Sequence, residues 1–171
     1  MSNEFAGESC ELGEPRWLTD REQRAWLAYM QATMLLEDHL DRQLQRDAGM
    51  PHLYYGLLVL LSRAPRRRMR MTVLAEQAKI TRSRLSHAIA RLEKNGWVRR
   101  EECSSDKRGQ NAILTDDGMR ILEKAAPGHV AAVRGALFDR LTDEQVDQLA
   151  TICQVMAEGL QPKGADLPWL R

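Results

Sequence analysis

Cysteine is scarce in this chain. Cys10, Cys103 and Cys153 are the only three in 171 residues, too few and too scattered for a disulfide framework or a closed zinc site. Long apolar runs are missing as well: the longest, Leu57 to Leu61, falls far short of a bilayer crossing. The opening residues, Met1 to Glu14, are acidic and lack the apolar stretch of a secretory signal. A reducing cytoplasmic location is therefore expected, with no membrane partner. There is no Gly-rich phosphate loop, no nucleophile elbow and no His or carboxylate cluster at metal spacing. Neither an enzyme nor a bound cofactor or metal is expected, and Glu37, His39 and Asp41 read as a charged helix face. Internal repeats and low-complexity tracts are also lacking.

What is present is an uneven distribution of charge. The net charge of +1 hides a basic centre. From Arg63 to Gln110 there are fourteen Lys or Arg against five Asp or Glu, leaving the rest of the chain with eleven against nineteen. A basic middle between acidic ends suits a DNA-reading module set between oligomerisation helices, because nucleic-acid binders need local rather than global basicity.

Helix signals dominate the chain. Thr19 with Glu22 fits a capping box, and Leu27, Met30, Met34, Leu36, Leu40 and Leu44 follow at helical spacing, predicting a helix over about 20–46. Gly49 stops it, and Pro51 opens a second helix that reaches Arg63 and is apolar almost all round, as a central buried helix should be. Ala64-Pro65 breaks that helix and Arg66 to Arg70 reads as a link. Thr72 is the expected cap of a two-turn helix, Val73 to Ala78. After the turn Lys79-Ile80-Thr81, Thr81 caps Arg82 to Asn95, which ends at Gly96. Two helices joined by three residues make a helix-turn-helix.

Trp97 to Arg100 and Ala112 to Leu114 flank a polar loop, Ser104 to Gln110, and predict a β-hairpin. Thr115 caps the next helix, where Asp116 and Asp117 suit the positive N-terminal end and Pro127 can introduce a kink. Thr142 with Gln145 starts a last helix that carries Val146, Leu149, Ile152, Cys153, Met156 and Leu160 on one face. The expected class is mainly α with a small β-hairpin wing, a winged helix-turn-helix lobe with terminal helices for dimerisation. The expected divisions are a disordered segment over 1–18, a first dimerisation helix over 19–50, the DNA-binding lobe over 51–118, dimerisation helices over 119–160 and a tail over 161–171.

Several short motifs resemble the MarR family of bacterial transcription regulators across about Thr19 to Leu160. Leu74-Ala75, Arg82-Ser83-Arg84-Leu85-Ser86, Arg91-Leu92-Glu93, Gly96-Trp97-Val98 and Arg100 are similar to the family's helix-turn-helix and its exit into the wing. Asp106-Lys107-Arg108, followed by Leu114-Thr115 and Gly118, is similar to its wing tip and the helix start after it. Pro127, His129, Val130, Val133 and Arg134 also resemble the corresponding helix of actinobacterial members.

The resemblance implies that the Arg82 to Asn95 helix enters the major groove, with Thr81, Arg82, Ser83, Arg84, Ser86, His87 and Arg91 at the DNA. It implies that Arg108 reaches the minor groove, positioned by Asp106 with Lys107 and Gln110 beside it; the plainer alternative is a polar hairpin tip. Arg66, Arg67, Arg68 and Arg70 are expected to neutralise phosphates, or else to be solvated. A single helix covers few base pairs, so two half-sites of a pseudo-palindromic operator and a homodimer follow. The last helix, the start of the first and Leu167, Trp169 and Leu170 are the candidate interface. Family regulators often take small aromatic or acidic effectors, for which Trp26, His52, Tyr54 and Tyr55 are candidates, though aromatics on buried helices commonly just fill the core. Repression is the default expectation. Thiol-based control through Cys103, beside Arg99 and Arg100, and an architectural DNA-binding role without an effector remain the alternatives.

Overall fold

The computed structural model describes residues 15–103 and 106–160, with the side chains of 103–108 outside that description. The expected segment 1–18 and the tail 161–171 therefore lie wholly or largely beyond it. In order, the elements are α1 (Asp20–Ala48), α2 (His52–Arg63), β1 (Arg68–Arg70), α3 (Met71–Gln77), α4 (Arg82–Lys94), β2 (Val98–Cys103), β3 (Asp106–Leu114), α5 (Asp116–Ala136) and α6 (Asp143–Leu160). Chain contacts divide the protein into a unit up to Leu35 and a unit from Leu36 onward.

In the first unit, the Thr19 backbone N–H and hydroxyl both donate to Glu22 Oε2 at 2.8 Å while the Glu22 N–H returns a bond to Thr19 Oγ1 at 3.3 Å. That reciprocal pairing satisfies donors that a helix start otherwise leaves open. Trp17, Trp26, Leu27 and Met34 are exposed here.

The second unit is organised around α2. Tyr55, Leu57, Leu58, Leu60 and Leu61 are all buried, and each such side chain contributes roughly 1.5–3 kcal/mol through burial. Against them pack Leu44 of α1, Leu74 of α3, Leu85, Ile89 and Leu92 of α4, Val98 and Leu114 of the hairpin, and Leu122 of α5. Gly49, at φ +62°, ends α1 in the left-handed conformation that glycine adopts without a Cβ penalty. α2 has no side-chain cap of its own at Pro51. The His52 N–H instead donates to Asp41 Oδ1 of α1 at 2.8 Å.

The sheet is three-stranded and antiparallel in the order β1-β3-β2. Arg68, Met69 and Arg70 pair with Ile113, Ala112 and Asn111, so the segment expected as a link is a strand. Three residues with two arginines carry no strand pattern, and only the open edge of β3 makes them extended. That pairing also starts α3 at Met71 with Arg70 as its N-cap residue, leaving Thr72 inside the helix rather than capping it. The hairpin strands run further than expected, β2 to Cys103 and β3 from Asp106, with a register shift between Glu102 and Cys103. α5 continues through Pro127, and Thr142 and Gln145 form the expected capping box. No helix among the described residues is long and apolar enough to cross a membrane.

Candidate nucleic-acid interface

α4 is amphipathic in the sense the site requires. Leu85, Ala88, Ile89 and Leu92 are its buried residues, at the i, i+3, i+4, i+7 spacing of one helix face. The opposite face leaves Arg82, Ser83, Arg84, Ser86, His87 and Arg91 exposed. Thr81 fixes the start of this face, its hydroxyl oxygen accepting from the Arg84 N–H at 3.2 Å. The Ser86 hydroxyl donates to the Arg82 carbonyl at 2.9 Å, which leaves its oxygen lone pairs for an outside donor. The tight turn before the helix holds Lys79 at φ +53°.

The arginines of the lobe fall into two groups. Arg67 bonds Asp116 Oδ1 at 3.0 Å, Arg68 and Arg99 both engage Glu101, and Arg100 grips Glu93 through Nε at 2.9 Å and Nη2 at 2.6 Å. Hydrogen bonding from Arg100, the strongest influence, lowers the Glu93 carboxyl pKa below its ordinary value. These pairs tie strands and helix ends together and neutralise charge locally. Arg82, Arg84 and Arg91 on the exposed face of α4 have no carboxylate partner among the described residues, and neither does Arg66. Arg66 and Arg67 occupy successive left-handed conformations, φ +55° and +53°, in the turn after α2, a strained geometry for residues with a Cβ. Arg70 lies exposed at the end of β1.

The wing is anchored at its base. Thr115 Oγ1 donates to the Gly96 carbonyl at 2.7 Å and accepts from the Gly118 N–H at 3.0 Å. One hydroxyl thus joins the end of α4 to the start of α5. Gln110 is exposed on β3, while the side chains of Asp106, Lys107, Arg108 and Cys103 are outside the described residues. Cys153 is exposed on α6.

A cavity of about 1090 Å³ opens beside α2, lined by His52, Tyr54, Tyr55 and Arg63 of that helix, Glu37 and Asp41 of α1, His129 of α5 and Arg84 of α4. Three of the four effector candidates thus line one cavity. Trp26 belongs to the first unit, its ring 6.3 Å from that of Tyr29, and is not among the lining residues. His52 Nδ1 lies 3.0 Å from Glu37 Oε2, and the His129 ring lies 5.3 Å from His52 and 4.5 Å from Tyr55, centroid to centroid. Burial chiefly, and the neighbouring His52 secondarily, lower the His129 pKa; burial raises that of Tyr55. Glu37 and Asp41 lie on the charged face of α1 that the sequence presents, and from it they also hold the start of α2. Their i, i+4 spacing put them on one face, but nothing in the sequence said that His52 would fold onto it. Nothing in the sequence marked His129 or Arg84 as cavity residues. No group of three or more His, Cys, Asp or Glu among the described residues is placed to hold a metal ion.

The sequence profile of the MarR family matches residues 48–109, from the end of α1 into the wing. A MarR family transcriptional regulator of Streptomyces coelicolor, Sco3205, whose crystal structure is in complex with DNA, shares 72% identity with this chain. The match covers 92% of this chain and 99% of that one, with a TM-score of 0.83. AbsC, a MarR family transcriptional regulator of the same organism, is 42% identical over 85% of this chain and 98% of its own, with a TM-score of 0.79. The HTH-type transcriptional repressor YetL of Bacillus subtilis (strain 168) is 28% identical over 112 residues, 66% of each chain.

Proposed function

This chain belongs to the MarR family of transcription regulators, and from that premise we propose that it is a homodimeric, sequence-specific repressor released from its operator by a small molecule. The observation that carries the DNA-binding part is the exposed face of α4. Its arginines stand without carboxylate partners among the described residues, while Arg68, Arg99 and Arg100 of the sheet are each paired with a glutamate. A guanidinium at a helix start can grip guanine in the major groove through two parallel bonds. The relative whose structure is in complex with DNA supports the same reading.

Dimerisation is supported by α6, which has no buried residue although it carries Ile152, Val155, Met156 and Leu160. Apolar surface of that kind marks an interaction face. Release by an effector is supported by the cavity, which joins aromatic side chains to Arg84 of the reading helix. Aromatic or acidic small molecules suit that lining. Repression agrees with the description of the YetL relative.

Selection of duplexes with purified protein at two salt concentrations tests this function. A recovered pseudo-palindrome, bound at least about 10³-fold more tightly than random DNA, is expected. Equal affinity for random duplexes at both salt concentrations would overturn the sequence-specific reading, and a selected site that no aromatic acid releases would overturn the effector part.

A further inference from the structure

His129 sits where three helices meet. Its ring, on α5, is wedged between His52 and Tyr55 of α2, and its Nδ1 is buried with no hydrogen-bond partner among the described residues. A neutral imidazole tolerates this, because a bare lone pair at Nδ1 left without a donor costs less than an ionised N–H left without an acceptor. A protonated imidazole carries an N–H at both nitrogens, so the buried Nδ1–H would have no partner, next to a second imidazole.

The surrounding charges do not relieve that cost. Of the α1 carboxylates, Glu37 engages His52 Nδ1, Asp41 accepts the His52 N–H, and Asp38, which also lines the cavity, pairs with Arg42 at 2.6 Å. Asp47, close to Gly128, accepts from Gln43 at 2.8 Å. The α2 helix adds Arg63 and α4 adds Arg84 to the cavity, both of the wrong sign to hold an imidazolium.

A change at His129 also has a path to DNA. Pro127, two residues earlier, has no N–H for its own turn of α5, a place where a helix bends readily. The N-terminal end of the same helix is fastened to Gly96, just beyond α4, by Thr115.

We propose that His129 is a proton-operated latch between α5 and α2: neutral, it lets the helices pack; protonated, it opens their contact, shifts α4 through α5 and weakens DNA binding. The latch deepens the reading of this chain as a DNA-binding regulator and rests on it. Burial makes the folded protein bind this proton less well than the unfolded chain does. The packed state is therefore fully favoured above the ordinary histidine value near 6.5 and loses ground as pH falls below it.

The test is to measure Kd for a duplex selected by the wild-type protein, at pH 7.5 and 5.5 and constant ionic strength, with wild type, His129→Gln and His52→Gln. Acid alters DNA binding through other groups as well, so the comparison between proteins is the readout. Wild type is expected to lose about tenfold more affinity over that interval than His129→Gln. His52→Gln, lacking the neighbouring charge, is expected to fall between them. Equal pH dependence in all three would overturn the latch. In parallel, NMR titration of the histidine ring protons of the wild-type protein needs neither DNA nor a variant. His129 titrating at or above the ordinary value would overturn the proposal even if DNA binding itself failed, and titration below it is expected.

Discussion

Gly118 lies so close to Trp97 that a Cβ built on it would stand 2.1 Å from the Trp97 carbonyl oxygen and 2.7 Å from Leu114 Cδ1. The first atom is backbone and cannot move aside alone. Gly118→Ala is therefore expected to push α5 off the hairpin and cost about 3 kcal/mol, at the upper end of overpacking penalties. At the size of this chain that lowers Tm by roughly 6–12 °C, and thermal denaturation checks it. Because Thr115 and Gly118 belong to the joint between α4 and α5, the variant should also lose DNA affinity at temperatures where it is still folded.

Glu93 and Arg100 hold the end of α4 to β2 through three bonds, two from the guanidinium and one from the Arg100 N–H at 3.2 Å. Both side chains are about one-third exposed, so solvent screens the pair. Glu93→Gln is expected to cost only about 1 kcal/mol. The sign with pH follows from the lowered carboxyl pKa: its contribution is full above the unfolded value of 4.5 and is lost as pH falls through the folded value. Wild type should thus lose stability relative to Glu93→Gln between pH 5 and pH 3, read by urea denaturation at each pH.

The parts of this architecture that were legible in the sequence are those fixed by local chemistry. Thr19 with Glu22, Thr81, Thr115 and Thr142 with Gln145 all cap the helices they precede, because a cap depends on residues within one turn. The apolar run of α2 announced the core for the same reason. β1 was not legible, since Arg68 to Arg70 become a strand only where β3 offers an edge. Thr72 misled, because a good capping residue loses to a strand that fixes the chain two residues earlier. The basic stretch was visible as a total, but its division into paired and unpaired arginines depends on partners such as Asp116 and Glu101 that lie 49 and 33 residues away.

That division separates two kinds of arginine experimentally. Arg66 has no carboxylate partner among the described residues and occupies a left-handed conformation, so Arg66→Gly should relieve about 1 kcal/mol of backbone strain while removing a charge. The expected outcome is a Tm raised by roughly 2–4 °C with a slope of log Kd against log salt shallower by about one phosphate contact. Arg67→Ala should change that slope less, since Asp116 already neutralises the side chain. Equal slope changes in the two variants would show that Arg67 leaves Asp116 when DNA binds.

Arg84 differs from both because it stands at the start of α4 and also lines the cavity. Arg84→Ala should cost about 1–3 kcal/mol on the selected site and relax preference at one base position. Affinity for random duplexes should change little. Binding of labelled duplexes carrying single base changes checks this, and uniform weakening on every sequence would assign Arg84 to phosphates instead.

α6 supplies the last expectation. Ile152, Val155, Met156 and Leu160 share one face of that helix, and none is buried within the protomer. A second copy offering the same face gives a closed two-fold assembly in which each stripe covers the other. A carboxylate placed at Val155 would face its own counterpart across an apolar contact, so Val155→Glu should yield a protein of half the wild-type mass by light scattering at micromolar concentration. Gln154→Ala, off that stripe, should leave the mass unchanged. The monomer keeps one reading helix per molecule and loses the second half-site, so its affinity for the selected duplex should drop at least about 10²-fold while its helix content holds. A Val155→Glu protein that remains dimeric would move the interface elsewhere, with the exposed Trp26, Leu27 and Met34 of α1 as the next surface to alter.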